Sequence, residues 1–379
     1  MSKFLIASDS FKGTLSTFDT MNLFAQASKK VFPETEVVKV PVSDGGDGFL
    51  SALFYLEKGT RVEVETFDAN HKPIVASYEI DGNGEAYLEC ASCLFIADPK
   101  ERNPFLTTSY GVGVLLLDAI RKGCKKIYLA LGGTSTNDFG IGLLVAMGLK
   151  CFNQEGDEFL PTGGTLDQIM DIDDTNLKEN AKGVEFIGLY DVDAPLLGKH
   201  GCSLMFSKQK GTDISGTRTL EKKMTAFHSF LLRKGYCSVA ETKGAGAAGG
   251  IGGGILSFLK GKLVSGIDFY LDRIHFNQRL EGVDIVFTGE GKVDAQTLEG
   301  KVVAGILKRA KAKEIPVVAI CGAADRDGEK LLSRGLSAIV TTGRNSVHFE
   351  QMKRQAGVFY YHSCLNALSL VRLGVEMKK

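Results

Sequence analysis

The stretch Phe4-Leu5-Ile6-Ala7-Ser8-Asp9-Ser10-Phe11-Lys12-Gly13-Thr14-Leu15-Ser16 decides the architecture. Phe4 to Ala7 is a short apolar run that breaks into a polar loop. Ser16 then stands as an N-cap with Asp19 three residues on, and apolar residues recur at helical spacing to Phe32. The order is strand, loop, helix. Val37 to Val40 begins the same pattern again, leading into Ser43-Asp44-Gly45-Gly46-Asp47-Gly48 before Phe49 to Leu56 resumes as helix. Both loops therefore leave the carboxyl ends of strands, where open α/β sheets bind ligands.

Past Arg61 the pattern changes. Val62, Val64 and Thr66 alternate with charged neighbours, and Ile74, Ala76, Tyr78 and Ile80 alternate again after a turn, which predicts an antiparallel hairpin. Ala86 to Leu88, Ile127 to Leu131 and Val184 to Leu189 read as strands, with helices over Gly111 to Lys122 and Gly140 to Met147. From Asp284 the α/β alternation returns: strand Ile285 to Thr288, helix Val302 to Lys313, strand Val317 to Ile320 and strand Ile339 to Thr341. A chain of 379 residues exceeds what one core supports. The expectation is an α/β protein of two domains: a Rossmann-like parallel α/β domain built from both chain ends (1–61 and 281–379), with a mixed α/β domain inserted (62–280). The active site is expected in the interdomain cleft.

Lys+Arg and Asp+Glu balance at 45 each, so no global field draws the chain to nucleic acid or an anionic membrane. No apolar stretch approaches a membrane span, and eight scattered cysteines suit reduced thiols; a cytoplasmic protein with small-molecule partners is expected. The lone Cys90-Ala91-Ser92-Cys93 has no second pair and is not read as a zinc or redox site.

Glycine, at 45 residues, clusters with lysines and carboxylates at the ends of apolar runs. Backbone without a Cβ approaches a ligand closely, lysine holds phosphate, and carboxylates hold Mg²⁺ or take a proton. Lys12 and Gly13, before a capped helix, suggest an anion cradle; Asp44 and Asp47, three apart among glycines, suggest a Mg²⁺ pair. Gly132-Gly133-Thr134-Ser135-Thr136-Asn137-Asp138 offers hydroxyls, an amide and a carboxylate at a strand end. Gly244-x-Gly246-x-x-Gly249 formally matches a dinucleotide fingerprint, but Thr242-Lys243 replaces the apolar lead-in, so a generic close-approach loop serves as well. Gly289-Glu290-Gly291-Lys292-Val293-Asp294 follows a strand, and Gly300-Lys301 opens a helix, where an anion is favoured. No P-loop kinase motif is present.

Taken in order, these blocks resemble the bacterial glycerate kinase family, class II, of the glycerate 2-kinase type. Ser8 to Ser16 is similar to its opening PDSFKGSLS, and Pro41 to Gly48 to its ADGGEGT. Arg102-Asn103-Pro104, Leu131 to Gly142, Asp191 to Gly201, Gln209-Lys210-Gly211, Gly244 to Gly250 and Thr288 to Lys301 match further blocks. Asp47 stands where the family usually has Glu, and Ser207-Lys208 where Gly-Pro is common.

The resemblance implies ATP-dependent phosphorylation of D-glycerate to 2-phosphoglycerate, with ATP and Mg²⁺ as cofactors. The alternatives are a 3-kinase and, more remotely, an NAD-dependent hydroxy-acid dehydrogenase. On this reading Lys12, Lys210 and Lys301 neutralise phosphate or carboxylate oxygens, and Asp44 and Asp47 hold the metal. Asp191 and Asp294 are rivals for the base. Asp9, Ser10, Gly133, Thr134, Ser135, Asn137, Gly246, Gly249, Glu290 and Gln296 are expected to contact substrate or phosphate. The oligomeric state is left open.

Overall fold

Five apolar runs lie side by side as an all-parallel sheet in the computed structural model, which describes residues 2–96, 98–298, 300–343 and 349–377. Glu299, within one of the motif blocks, lies outside the described residues. The spatial order is Ala338–Thr341, Val317–Cys321, Ile285–Gly289, Lys3–Ser8, Glu36–Lys39. Numbered by occurrence, this is the 2-1-3-4-5 order of doubly wound sheets, whose winding reverses between the first and third strands. Here those two strands pair Ala7 with Thr288 and Ser8 with Gly289, so the reversal falls at their carboxyl ends.

Alternation along the strands fills both faces of this sheet. Phe4, Ile6, Phe287, Val318 and Ile320 form one core with Met21 and Phe24 of helix Thr17–Val31 and with Tyr360, Cys364 and Leu368 of helix Phe349–Glu376. The intervening Leu5, Val286 and Ala319 are equally buried, and helix Val302–Lys311 packs on the strand Ile285–Gly289. The expected N-cap is present. Ser16 Oγ accepts from Asp19 N at 3.1 Å while Asp19 Oδ2 accepts from Ser16 N at 2.9 Å.

A second sheet is mixed. Gly59–Phe67 and Pro73–Asp81 form the expected antiparallel hairpin, with Val62 opposite Tyr78 and Val64 opposite Ala76. Ala86–Glu89 joins antiparallel to the hairpin, and Lys126–Ala130, Glu185–Tyr190 and Lys262–Ser265 follow in parallel. Contacts sort the chain into two compact units: Met1–Asp44, Ser51–Leu56 and Ile267–Lys379, with the parallel sheet, and Gly45–Leu50 and Glu57–Gly266, with the mixed sheet.

One expectation is overturned within the mixed-sheet unit. The glycine-rich stretch from Gly244 is not a loop throughout, because Ala247–Phe258 is helical apart from a left-handed kink at Ala248, Gly249 and Gly250. Burial outweighs the poor helix propensity of glycine here, since every residue from Ala247 to Ile255 is buried. Helices Ile214–Arg233 and Phe349–Glu376 were not anticipated. Among the described residues no helix is long and apolar enough to cross a membrane.

Candidate active site

At the reversal point the chain leaves one central strand as Asp9 and its neighbour as Glu290, and Asp9 N donates to the Gly289 carbonyl at 2.8 Å. The parallel-sheet unit holds a cavity of about 520 Å³ at this edge. Asp9, Ser10, Lys12 and Asp44 line it from the N-terminal segment, and Glu290, Asp294 and Lys301 from the C-terminal one. Such a volume suits a small organic ligand. Seven of the residues singled out in the sequence thus share one cavity, although most are far apart along the chain.

Its floor is carboxyl-rich and its carboxylates are buried. Asp9, Asp44 and Glu290 are each less than 9% exposed. Burial pushes the Glu290 carboxyl up to about 7, with the charges of Asp44 and Asp294 adding to the rise; the Thr297 hydroxyl and Lys301 pull the other way. Glu290 Oε1 is buried without a hydrogen-bond partner. Burial, then the charge of Asp44, raises Asp9 well above the ordinary carboxylate range, against the Ser10 amide at 2.7 Å and Lys12.

Asp294 is differently placed. Its Oδ1 accepts from Gln296 N at 2.9 Å, opening the short helix Ala295–Leu298, and its Oδ2 lies 3.4 Å from Lys292 Nζ. Gln296 itself is tied to Lys301, whose Nζ donates to Gln296 Oε1 at 3.0 Å. Lys301 occupies the N-cap of helix Val302–Lys311, and no side chain caps that end. Its first amides therefore suit an anion. The helix after Lys12 and Gly13 does not serve this way: Ser16 and Asp19 occupy its start, and the Asp19 carboxylate repels an anion, so Lys12 is the cation that loop brings to the cavity.

In the mixed-sheet unit, Lys210 is the centre. It is buried, and Nζ donates to the Thr136 carbonyl at 2.7 Å and lies 3.5 Å from Thr134 Oγ1. Burial lowers it to about 8, while Cys202, Asp138 and Asp191 act to raise it. Asn137, fully buried, donates from Nδ2 to Ser203 Oγ at 3.1 Å. The loop is held by Asp138, whose Oδ2 accepts from Ser109 N and Ser109 Oγ at 2.7 Å each, with Gly140 N on Oδ1 at 3.1 Å. Gly133 has φ of +69°, and a Cβ there would lie 3.0 Å from Ala91 Cβ.

Other expected contacts have intramolecular explanations. Ser135 is buried, with Oγ accepting from Ile96 N at 3.2 Å. A Cβ on Gly246 would lie 2.2 Å from the Pro195 carbonyl, and one on Gly249 2.0 Å from that of Thr136, so the protein's own backbone accounts for both glycines. Asp47 is exposed, and Asp191 is half-buried just past strand Glu185–Tyr190. Cys90 and Cys93 are buried thiols raised by burial, Cys93 to about 11.

Sequence reading missed two features. Phe359 and Lys353 line the cavity from the unanticipated C-terminal helix, although Tyr360, Cys364, Ala367 and Leu368 carried the helical spacing that could have revealed it. Glu89 was also missed. It is 8% exposed, accepts the Leu50 amide, and is raised to about 7 by burial.

Carboxylates, lysines and an open helix start gather around one cavity at the switch point of a doubly wound sheet. The Glycerate kinase family matches residues 4–371. The glycerate kinase of Bacillus subtilis (strain 168) is 32% identical over 378 residues, 99% of each chain. The glycerate 2-kinase of Escherichia coli (strain K12) is 32% identical over 340 residues, 89% of each. A crystal structure of a protein assigned as glycerate kinase 2 from Salmonella typhimurium LT2 superposes with a TM-score of 0.79 at 29% identity, over 99% of each chain. The chain belongs to the glycerate kinase family.

Proposed function

We propose that this chain transfers the γ-phosphoryl group of ATP to the C2 hydroxyl of D-glycerate, giving 2-phosphoglycerate. The family match over residues 4–371 carries this reading, and the cavity chemistry supports it. Phosphoryl transfer asks a protein for cations on the phosphates, a path for the hydroxyl proton and a held geometry. Lys12, Lys301 and the start of helix Val302–Lys311 are assigned to phosphate oxygens. Lys210, with Thr134 and Asn137, is the candidate anion site of the mixed-sheet unit.

Among the described residues no three His, Cys, Asp or Glu side chains converge to hold a metal ion. That donor set does not fit a dedicated cation cage. It fits Mg²⁺ arriving on the nucleotide, since Mg²⁺ keeps several waters and needs only one or two carboxylates. Asp44 is the carboxylate we assign to its water shell, with Asp47 as the second candidate. Eight unpaired cysteines accord with a cytoplasmic setting.

The test is a coupled assay. ADP release that depends on D-glycerate, with a product that enolase dehydrates directly, is the expected outcome. Release of ADP with a product that enolase refuses would point to the 3-hydroxyl, and no glycerate-dependent ADP would overturn the reading.

A further inference from the structure

An alcohol attacks phosphorus only as its proton leaves, so the site needs an acceptor within reach of the substrate hydroxyl. Asp294 is poorly suited, because one oxygen caps a short helix and the other faces Lys292. Resting on the phosphoryl-transfer reading above, we propose that Glu290 is the catalytic residue that accepts the proton of the attacking hydroxyl. Its carboxyl follows the central strand at the sheet's reversal point, where ligands of such sheets bind. It lines the cavity together with Lys12 and Lys301 and is more than nine-tenths buried. Its Oε1 has no hydrogen-bond partner, an arrangement that costs free energy unless a ligand donor supplies the missing bond.

The electrostatics agree. Lys301, Asp44, Asp294, Asp9 and Cys321 interact electrostatically with this carboxyl. Burial sets it at about 7, where a base is both largely ionised above neutrality and strong enough to take a proton. In the step, the hydroxyl proton passes to Glu290 Oε1 as the substrate oxygen bonds to the γ-phosphorus. The bond from phosphorus to the β,γ-bridging oxygen breaks, and ADP leaves with that electron pair. Glu290 then returns the proton to solvent.

The experiment compares wild type, E290Q, D294N and D191N by ADP release between pH 5 and 9, with ATP, Mg²⁺ and D-glycerate. E290Q is expected to lose about 10²–10⁴-fold in kcat with KM values changed by about threefold or less, and to lose the wild type's rising limb near pH 7. D294N and D191N are expected to keep that limb. An E290Q enzyme within about tenfold of wild type, an intact limb in E290Q, or a loss confined to KM would overturn the assignment. If E290Q fails to fold, E290D replaces it: a lowered kcat with the limb retained supports the base, and a wild-type profile flat across neutrality refutes it. Active wild type beside active E290Q sinks this assignment alone, whereas wild type that releases no ADP with D-glycerate sinks the functional reading and this assignment with it.

Discussion

Glu89 shows how a single carboxyl sets the pH response of its surroundings. Its folded-state value of about 7 lies above the 4.5 of an unperturbed glutamate, so the folded protein holds a proton that the unfolded chain releases. The stability tied to that proton is fully present below about pH 4.5 and is lost as pH rises through about 7. Its scale is about 3 kcal/mol, from the size of the shift. E89Q is expected to match wild type at pH 5 and to gain several degrees in Tm at pH 8, as thermal scans at both pH values would reveal. Equal wild-type and variant values at both would contradict it. Nothing in the sequence marked Glu89, because a charge ending the run Ala86-Tyr87-Leu88 looks like a solvated strand end; its burial depends on the Leu50 amide 39 residues away. The place of Glu290 was legible, by contrast, since it sits between glycines at the end of a strand that the sequence predicts.

Elements divide by how much of their cause is local. The capping box at Ser16 and Asp19 and the period-two hairpin at Val62 to Ile80 were readable because neighbours in sequence dictate them. The helix Ala247–Phe258 was not, because it exists for its packing rather than its propensity. Gly249 tests that explanation: it has φ of +68°, and an added Cβ would meet the Thr136 carbonyl that also receives Lys210 Nζ. Gly249→Ala is therefore expected to cost about 2–4 kcal/mol of stability and to lower activity as well, measured by urea unfolding and by turnover. A cost below about 0.5 kcal/mol would show that the close approach is not binding on the fold. Helix Ile214–Arg233 escaped notice for another reason: its buried Leu220, Met224, Phe227 and Leu231 keep helical spacing, but charged residues on the other face dilute the signal.

At the level of the whole molecule, every residue of the mixed-sheet core lies between Ala69 and Leu259. All six strands of that sheet lie between Gly59 and Ser265. A fragment of residues 45–266 is thus expected to fold alone, with one cooperative unfolding transition by circular dichroism and protected amides. A spectrum of unstructured chain would contradict it. The parallel-sheet unit has no such independence, because its strands come from distant segments. The composite origin was legible from matching strand–loop–helix patterns at both ends, whereas the strand order that puts Asp9 beside Glu290 rests on pairing that no local pattern encodes. Strand Lys3–Ser8 is an interior strand, held by Glu36–Lys39 on one edge and Ile285–Gly289 on the other. The second partner leaves the ribosome some 280 residues later, a delay of roughly 15–60 s at ordinary synthesis rates. Throughout that interval a nascent chain carries an unsatisfied, apolar strand border, an invitation to aggregation that chaperones or slow release must contain.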